Sequence, residues 1–200
     1  MKLKEGISLD YDDVLILPQR STVASRKDVV LEREFKFYHS DRTWNGVPII
    51  CANMVPLTTW KMCEVFVKEK MIVALHKYLK QEELIKFLSH FPPEYVWISV
   101  GMKKEDIDKL YQVCRFVPDP NIVIDIANGH LEIFVNYCRK VRDSFPNSII
   151  CAGNVSNPSC VAELILHGGV DIVKVGIGPG KMCRTRHVTG IGCGQISCID

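Results

Sequence analysis

A (β/α)8 barrel of the TIM type, the closed parallel-sheet form of the α/β class, is the fold expected of this 200-residue chain. Short apolar runs alternate with segments of helical period, at roughly the spacing of one βα unit. The runs are continuous Val, Ile, Cys and Ala rather than alternating with polar residues, as in parallel strands buried on both faces. Polar residues or glycines follow each run, where parallel α/β folds place their sites. A doubly wound open sheet shares these features and is the rival architecture.

The expected strands are Pro48–Ala52, Ile72–Leu75, Val96–Val100, Ile122–Ile126, Ser148–Ala152 and Asp171–Val175. Between them, Trp60, Cys63, Phe66 and Val67 share a helical face, as do Leu84, Phe87, Leu88 and Phe91. Ile107, Leu110, Tyr111 and Cys114 form a third face, and Ile133, Phe134, Tyr137 and Val141 a fourth. Asn157-Pro158 reads as an N-cap followed by proline in the first helical position. Residues 1–47 stand outside this rhythm, with hairpin-like pieces at Val14–Pro18 and Val29–Phe37. A closed barrel needs eight strands, and six are counted here. The reading is therefore a single barrel domain, 1–200, truncated after the sixth strand and preceded by an N-terminal extension, 1–47.

Bulk composition narrows the function. A net charge of +2, with no basic block, argues against nucleic acid or an anionic membrane as partner. No run of about eighteen apolar residues could span a bilayer. The opening residues are too charged for a secretory signal. Nine cysteines, mostly inside apolar segments and without zinc-site spacing, suggest reduced thiols and a cytoplasmic location.

The stretch richest in chemistry is Val173-Lys-Val-Gly-Ile-Gly-Pro-Gly-Lys-Met-Cys-Arg-Thr185. Glycines at 176, 178 and 180 let the backbone turn sharply and approach a ligand or ion. Cys183 sits on that loop among Lys181, Arg184 and Arg186, a setting that favours thiolate and nucleophilic attack. The alternative is one more buried thiol. Asp125, ending the fourth strand before Asn128-Gly129, is either a turn-forming carboxylate or a cofactor contact. Lys77 could solvate a strand end or meet an anion. The cluster Arg139, Lys140 and Arg142 reads as a solvated helix face.

Over its whole length the chain resembles the GMP reductases of the IMP dehydrogenase/GMP reductase family. Lys174-Val-Gly-Ile-Gly-Pro-Gly-x-x-Cys-x-Thr185 carries most of the resemblance. Supporting pieces are Tyr11-Asp-Asp-Val-Leu-Ile-Leu-Pro18, Arg20-Ser-Thr-x-x-Ser-Arg26, Val47-Pro-Ile-Ile-Cys-Ala-Asn-Met54, Asp125-Ile-Ala-Asn-Gly129 and Ile150-Cys-Ala-Gly-Asn-Val155. The resemblance implies NADPH-dependent conversion of GMP to IMP and ammonia, with Cys183 as nucleophile at purine C2 and Thr185 aiding proton transfer. It implies NADPH contacts at Lys77, Asp125, Ile126, Ala127, Ile177 and Gly178, and at Ser25 and Arg26 toward a neighbouring subunit of a homotetramer. It implies a potassium site on the carbonyls of Gly178, Gly180, Cys183 and Arg186. The short spacing between the second and third strands leaves no room for the regulatory domain that IMP dehydrogenases usually insert there, so that activity is the less favoured one.

The chain also departs from the family pattern. Lys181 replaces a phosphate-binding serine, Val55-Pro56 stands where Asp-Thr is usual, and Cys193-Gly194 where Tyr-Pro is usual. The family's later strands, phosphate loops and threonine-partnering glutamate lie beyond residue 200. A second reading follows: a catalytically incompetent short form that associates with full-length subunits.

Overall fold

The computed structural model describes residues 6–181 and 183–200. The first five residues of the expected N-terminal extension, and Met182 of the glycine–cysteine loop, lie outside the described residues.

An antiparallel hairpin, β1 (Arg33–Lys36) and β2 (Thr43–Gly46), precedes six βα-type strands. These are β3 (Ile50–Cys51), β4 (Ile72–Leu75), β5 (Val96–Val100), β6 (Ile122–Asp125), β7 (Ile150–Val155) and β8 (Ile172–Val175). They form one parallel sheet in sequence order. Helices α1 (Trp60–Lys68), α2 (Gln81–His90), α3 (Lys104–Cys114), α4 (Glu132–Ser144) and α5 (Pro158–Leu166) make the crossovers. Two one-turn helices follow, α6 (Thr185–Thr189) and α7 (Gln195–Ile199).

Strand alternation sorts the core into two layers. Val73, Leu75, Ile98, Val100, Ile122, Ile124, Ile150 and Ala152 face outward onto Cys63, Leu84, Phe87, Leu110, Phe134, Cys138, Val141 and Leu164 of the helices. Ile72, Ala74, Trp97, Val123, Ile149 and Cys151 face inward, where Trp44 of β2 plugs the base. The indoles of Trp44 and Trp97 both donate to the Glu94 carbonyl at 2.9 Å, so both buried rings keep their N–H groups satisfied.

The sheet is curled, not open. In a flat sheet the edge strands β3 and β8 would lie about 24 Å apart, at about 4.8 Å per strand. Instead Lys174 of β8 donates to the side chain of Asn53, two residues past β3, at 3.4 Å. Ile50, Ile72 and Ile172 likewise line one cavity at the base. This favours the barrel over the doubly wound alternative and gathers the strand ends around one mouth.

Several local expectations shift. The first strand contracts to Ile50–Cys51, and the fifth moves to Ile150–Val155. The extension's hairpin is β1–β2; residues 14–18 form no strand. The buried stripes of α3 and α4 are Leu110 with Val113, and Phe134, Cys138 and Val141, leaving Tyr111 and Ile133 exposed. Asn157 does cap α5, accepting from the Cys160 N–H at 2.8 Å.

Arg142 corrects the reading of a solvated basic face. It pairs with the fully buried carboxylate of Asp171 at 2.5 Å and donates to the carbonyls of Gly169, Pro146 and Ser148. Asp171 in turn accepts the N–H groups of His39, Ser40 and Ile150. The pair thus fastens the N-terminal hairpin and α4 to the start of β8.

Candidate active site

Strand register places a polar cluster at the carboxyl ends of the sheet. Ile172 points into the barrel, so Lys174, two residues on, also points inward but nearer the mouth. Asp125 ends β6, in register with Gly153. Lys174 Nζ donates to Asp125 Oδ1 at 2.5 Å, and Asn53 Nδ2 donates to Asp125 Oδ2 at 3.0 Å. Burial pushes the Asp125 carboxyl upward, but attraction to Lys174, its hydrogen bonds with Lys174 and Asn53, and the charge of Lys77 together hold it below the usual carboxylate range. Asp125 is therefore an oriented anion within a polar cluster, not the cap of the Asn128-Gly129 turn. That turn is closed instead by Asn128 Oδ1, which accepts the His130 N–H at 3.1 Å.

Asn154 links this cluster to the glycine–cysteine loop. Its N–H donates to the Ile126 carbonyl at 3.1 Å, and its carbonyl accepts the Gly129 N–H at 2.8 Å. Its side-chain amide donates to the Gly176 carbonyl at 3.0 Å. Among the described residues its Oδ1 is buried without a hydrogen-bond partner, as are His76 Nδ1 and Ser99 Oγ. Buried polar atoms left open around a site are available to a ligand.

Beyond β8 the backbone turns through Gly176 (φ 113°) and Gly178 (φ 63°), conformations that only glycine adopts without strain. A Cβ on Gly176 would lie 1.9 Å from Gln195 Oε1, so α7 packs directly on the loop. Gln195 Nε2 holds the Val175 carbonyl at 3.0 Å. The Cys183 N–H closes a turn onto the Gly180 carbonyl at 2.9 Å. Cys183 Sγ lies 3.3 Å from Thr185 Oγ1. Hydrogen bonds from Thr185, first its hydroxyl and then its backbone, lower the Cys183 thiol below its ordinary value, and the charge of Arg186 adds a smaller pull.

Two members of the basic flank of Cys183 are engaged with carboxylates elsewhere. Arg186 pairs with Asp10 at 2.6 Å, donates to the Ile177 carbonyl at 3.0 Å and also holds the Cys193 carbonyl. Lys181 lies 3.5 Å from Asp12 at the surface. Cys63, Cys138 and Cys151 are buried, and burial pushes each thiol up to about 12. The Cys183 thiol is shifted downward, whereas those of Cys51, Cys63, Cys114, Cys138, Cys151 and Cys198 are shifted upward.

The structure brings Lys77, Asp125 and Ile126 to one mouth and joins them through Asn154 to the Ile177–Gly178 loop. Ala127 is exposed beside them. Ser25 and Arg26 are exposed on the extension, with Ser25 bonded to Asp28 and Lys27 in their own turn. The sequence reading took Asn154 only as one of the polar strand ends, and missed Lys174 and Gln195 as positioning groups and Asp10 as the partner of Arg186. Lys174 was detectable as a lone charge in an apolar strand. Gln195 and Asp10 carry no local signal.

A family model described as "IMP dehydrogenase / GMP reductase domain" matches residues 8–200. The chain is 44% identical over 203 aligned positions to proteins named GMP reductase from Yersinia pestis and Yersinia pseudotuberculosis. That match covers 100% of this chain and 58% of either relative, so the chain spans little more than half their length. A crystal structure of inosine 5′-monophosphate dehydrogenase from Legionella pneumophila superposes with a TM-score of 0.80 at 28% identity, covering 96% of this chain and 58% of that one.

Proposed function

The chain belongs to the IMP dehydrogenase / GMP reductase family, and on that premise we propose that it carries the cysteine machinery of a GMP reductase. The observation that carries the proposal is Cys183 Sγ, lowered by Thr185 at 3.3 Å, on a glycine loop bonded to the polar mouth of the half-barrel. The β4–β5 connection contains α2 alone, which suits the reductase better than a dehydrogenase carrying an inserted domain.

In this reading the Cys183 thiolate attacks C2 of GMP. The amino group leaves as ammonia, and Thr185, beside the sulfur, passes the proton that it needs. NADPH, when bound, supplies the hydride that releases IMP. The open polar atoms of Asn154 and Ser99 and the charged group of Asp125 and Lys77 offer hydrogen-bond partners and charges that a nucleotide would engage. Lys77, Asp125, Ile126, Ala127, Ile177 and Gly178 would hold the cofactor, with Ser25 and Arg26 reaching one in a neighbouring subunit. Potassium would sit on the carbonyls of Gly178, Gly180, Cys183 and Arg186. The Gly180 and Arg186 carbonyls each accept one internal bond and keep a second lone pair for it.

A homotetramer fits the exposure of Leu15, Ile16 and Leu17, with Ile16 98% exposed, since such a run is normally covered by a partner. Free thiols suit a cytoplasmic protein. The second reading, a short form that joins full-length subunits, draws on the same exposed run.

The test is to incubate the chain with GMP and NADPH and to follow absorbance at the nicotinamide band. Turnover abolished by Cys183→Ala supports the first reading, whereas turnover that survives this change sinks the mechanism. Absence of turnover together with co-purification with a full-length reductase supports the second.

A further inference from the structure

A second thiol, distinct from Cys183, stands against an imidazole on the helical flank of the half-barrel. His130 lies in the connection between β6 and α4, and Cys160 is the third residue of α5. Cys160 Sγ is 3.1 Å from His130 Nδ1. The Ser156 N–H donates to His130 Nε2 at 3.1 Å. A backbone N–H can only donate, so Nε2 keeps its lone pair and the ring proton belongs on Nδ1. The ring therefore presents an N–H to the sulfur. Asn157 Nδ2 also approaches Nδ1, at the longer distance of 3.4 Å. Asn157 Oδ1 accepts the Cys160 N–H and the Ser159 hydroxyl, so the amide cannot turn over without breaking the α5 cap.

The pair opens into a cavity of about 440 Å³ between α4 and α5. Cavities of this size hold small molecules. Cys160, Glu163 and His167 recur at spacings of three and four along α5 and its C-cap, and so share one face. All three line the cavity with His130, and Glu132 and Val135 of α4 form the facing wall. Two carboxylates thus line the space, and among the described residues none that lines it is Lys or Arg. Arg139, one turn further along α4, gives its Nε–H to the His167 carbonyl at 2.7 Å instead. Cys160 is half-buried, so its sulfur is reached from the cavity.

We propose that Cys160 and His130 form a second nucleophilic-thiol site, which takes small disulfides bearing ammonium groups. A nucleophile in contact with an imidazole that a third group orients is the arrangement such a site needs. His130 is a positioning residue here: its N–H holds the sulfur toward the cavity. The Cys160 sulfur attacks one sulfur of the disulfide. A new S–S bond forms, the old one breaks, and the departing thiolate takes up the Cys160 proton and leaves as a thiol. Cys160 is oxidised to a mixed disulfide, and the departing half of the reagent is reduced. Glu132 and Glu163 attract the ammonium groups and repel an anionic disulfide. Nothing in this step uses Cys183, the glycine loop or a nucleotide.

The experiment exposes the native chain to cystamine, a dication, and separately to dithiodiglycolate, a dianion, at low ionic strength. Tryptic peptides are then mapped without reduction. Cys160 falls in peptide 143–174 with the buried Cys151, fragment ions tell the two apart, and Cys183 lies in another peptide. The same reagents on the chain unfolded in urea give the intrinsic rates. Cys160 should prefer cystamine by about tenfold more in the native chain than in the unfolded one. Added salt and Glu163→Gln should each narrow that margin. In His130→Phe the cystamine rate at Cys160 should fall by about threefold or more while the charge preference stays, a split that general loosening of the cavity would not give. Cys160 left unmodified by cystamine in the native chain, yet reacting in the unfolded one, overturns the proposal. So does modification with no gain in charge preference on folding. Both outcomes are read on the wild-type chain, so neither requires a variant to fold.

Discussion

Lys174 and Asp125, from strands two apart in the sheet, are joined by an ion pair of 2.5 Å at the mouth of the half-barrel. Asn53, from the opposite edge strand's end, closes the same cluster. These contacts orient Asp125 and record the curl of the sheet.

Replacing Lys174 by Met should lower stability at neutral pH by about 2–3 kcal/mol, because it strands a largely buried carboxylate. The folded Asp125 titrates below its unfolded counterpart, so the pair's contribution is complete above the unfolded value. It is lost as pH falls through the folded value, below about pH 4. Urea unfolding across that range should show the difference between wild type and variant shrinking on acidification. A difference that is constant with pH contradicts the assignment.

Arg142 should matter more. The carboxylate of its partner Asp171 is fully buried and accepts three backbone N–H groups. Arg142→Leu should cost about 3–5 kcal/mol, since one buried charge loses its counter-charge. A denaturation midpoint within error of wild type would return Arg142 to the solvated face expected from sequence.

Cys183 alkylation by iodoacetamide should rise with a midpoint below that of an ordinary cysteine. Thr185→Val should move this midpoint upward, because the Thr185 hydroxyl is the largest cause of the shift. Cys63, Cys138 and Cys151 should stay unmodified in the native protein, being buried and held at about 12. Equal labelling of all four would refute this ordering.

Gly176→Ala should destabilise the loop by about 1–3 kcal/mol, since a side chain at this φ is strained. The new methyl would also collide with Gln195, which must then release the Val175 carbonyl. Faster amide hydrogen exchange over residues 174–178 and 195–199 is the readout. Unchanged exchange would show that α7 does not brace the loop.

The helices and parallel strands were legible because their signal is local: periods of 3.6 and continuous apolar runs survive in any short window. The Cys183 loop was legible for the same reason, with three glycines and a cysteine written side by side. Strand ends were less so. Ser148 and Ile149 read as strand because they are neighbours of one, yet the ladder begins at Ile150. The hairpin strand β2, Thr-Trp-Asn-Gly, has too little pattern to announce itself.

What acidifies Cys183 was misread for a physical reason. Lys181, Arg184 and Arg186 are close in sequence, but Arg186 is spent on Asp10, 176 residues away, and on two carbonyls. The dominant neighbour is instead a hydroxyl two residues along.

By itself the sequence determined the alternation of strands and helices and the glycine–cysteine loop, both set by residues within a turn or two of each other. Only the tertiary structure decided that Asn53, Asp125 and Lys174 share one site, and that Asn154 ties it to the loop. The Asn53–Lys174 contact spans 121 residues and exists because the sheet curls. Curling is a property of the packed strands together, and no local period encodes which charges it will bring face to face.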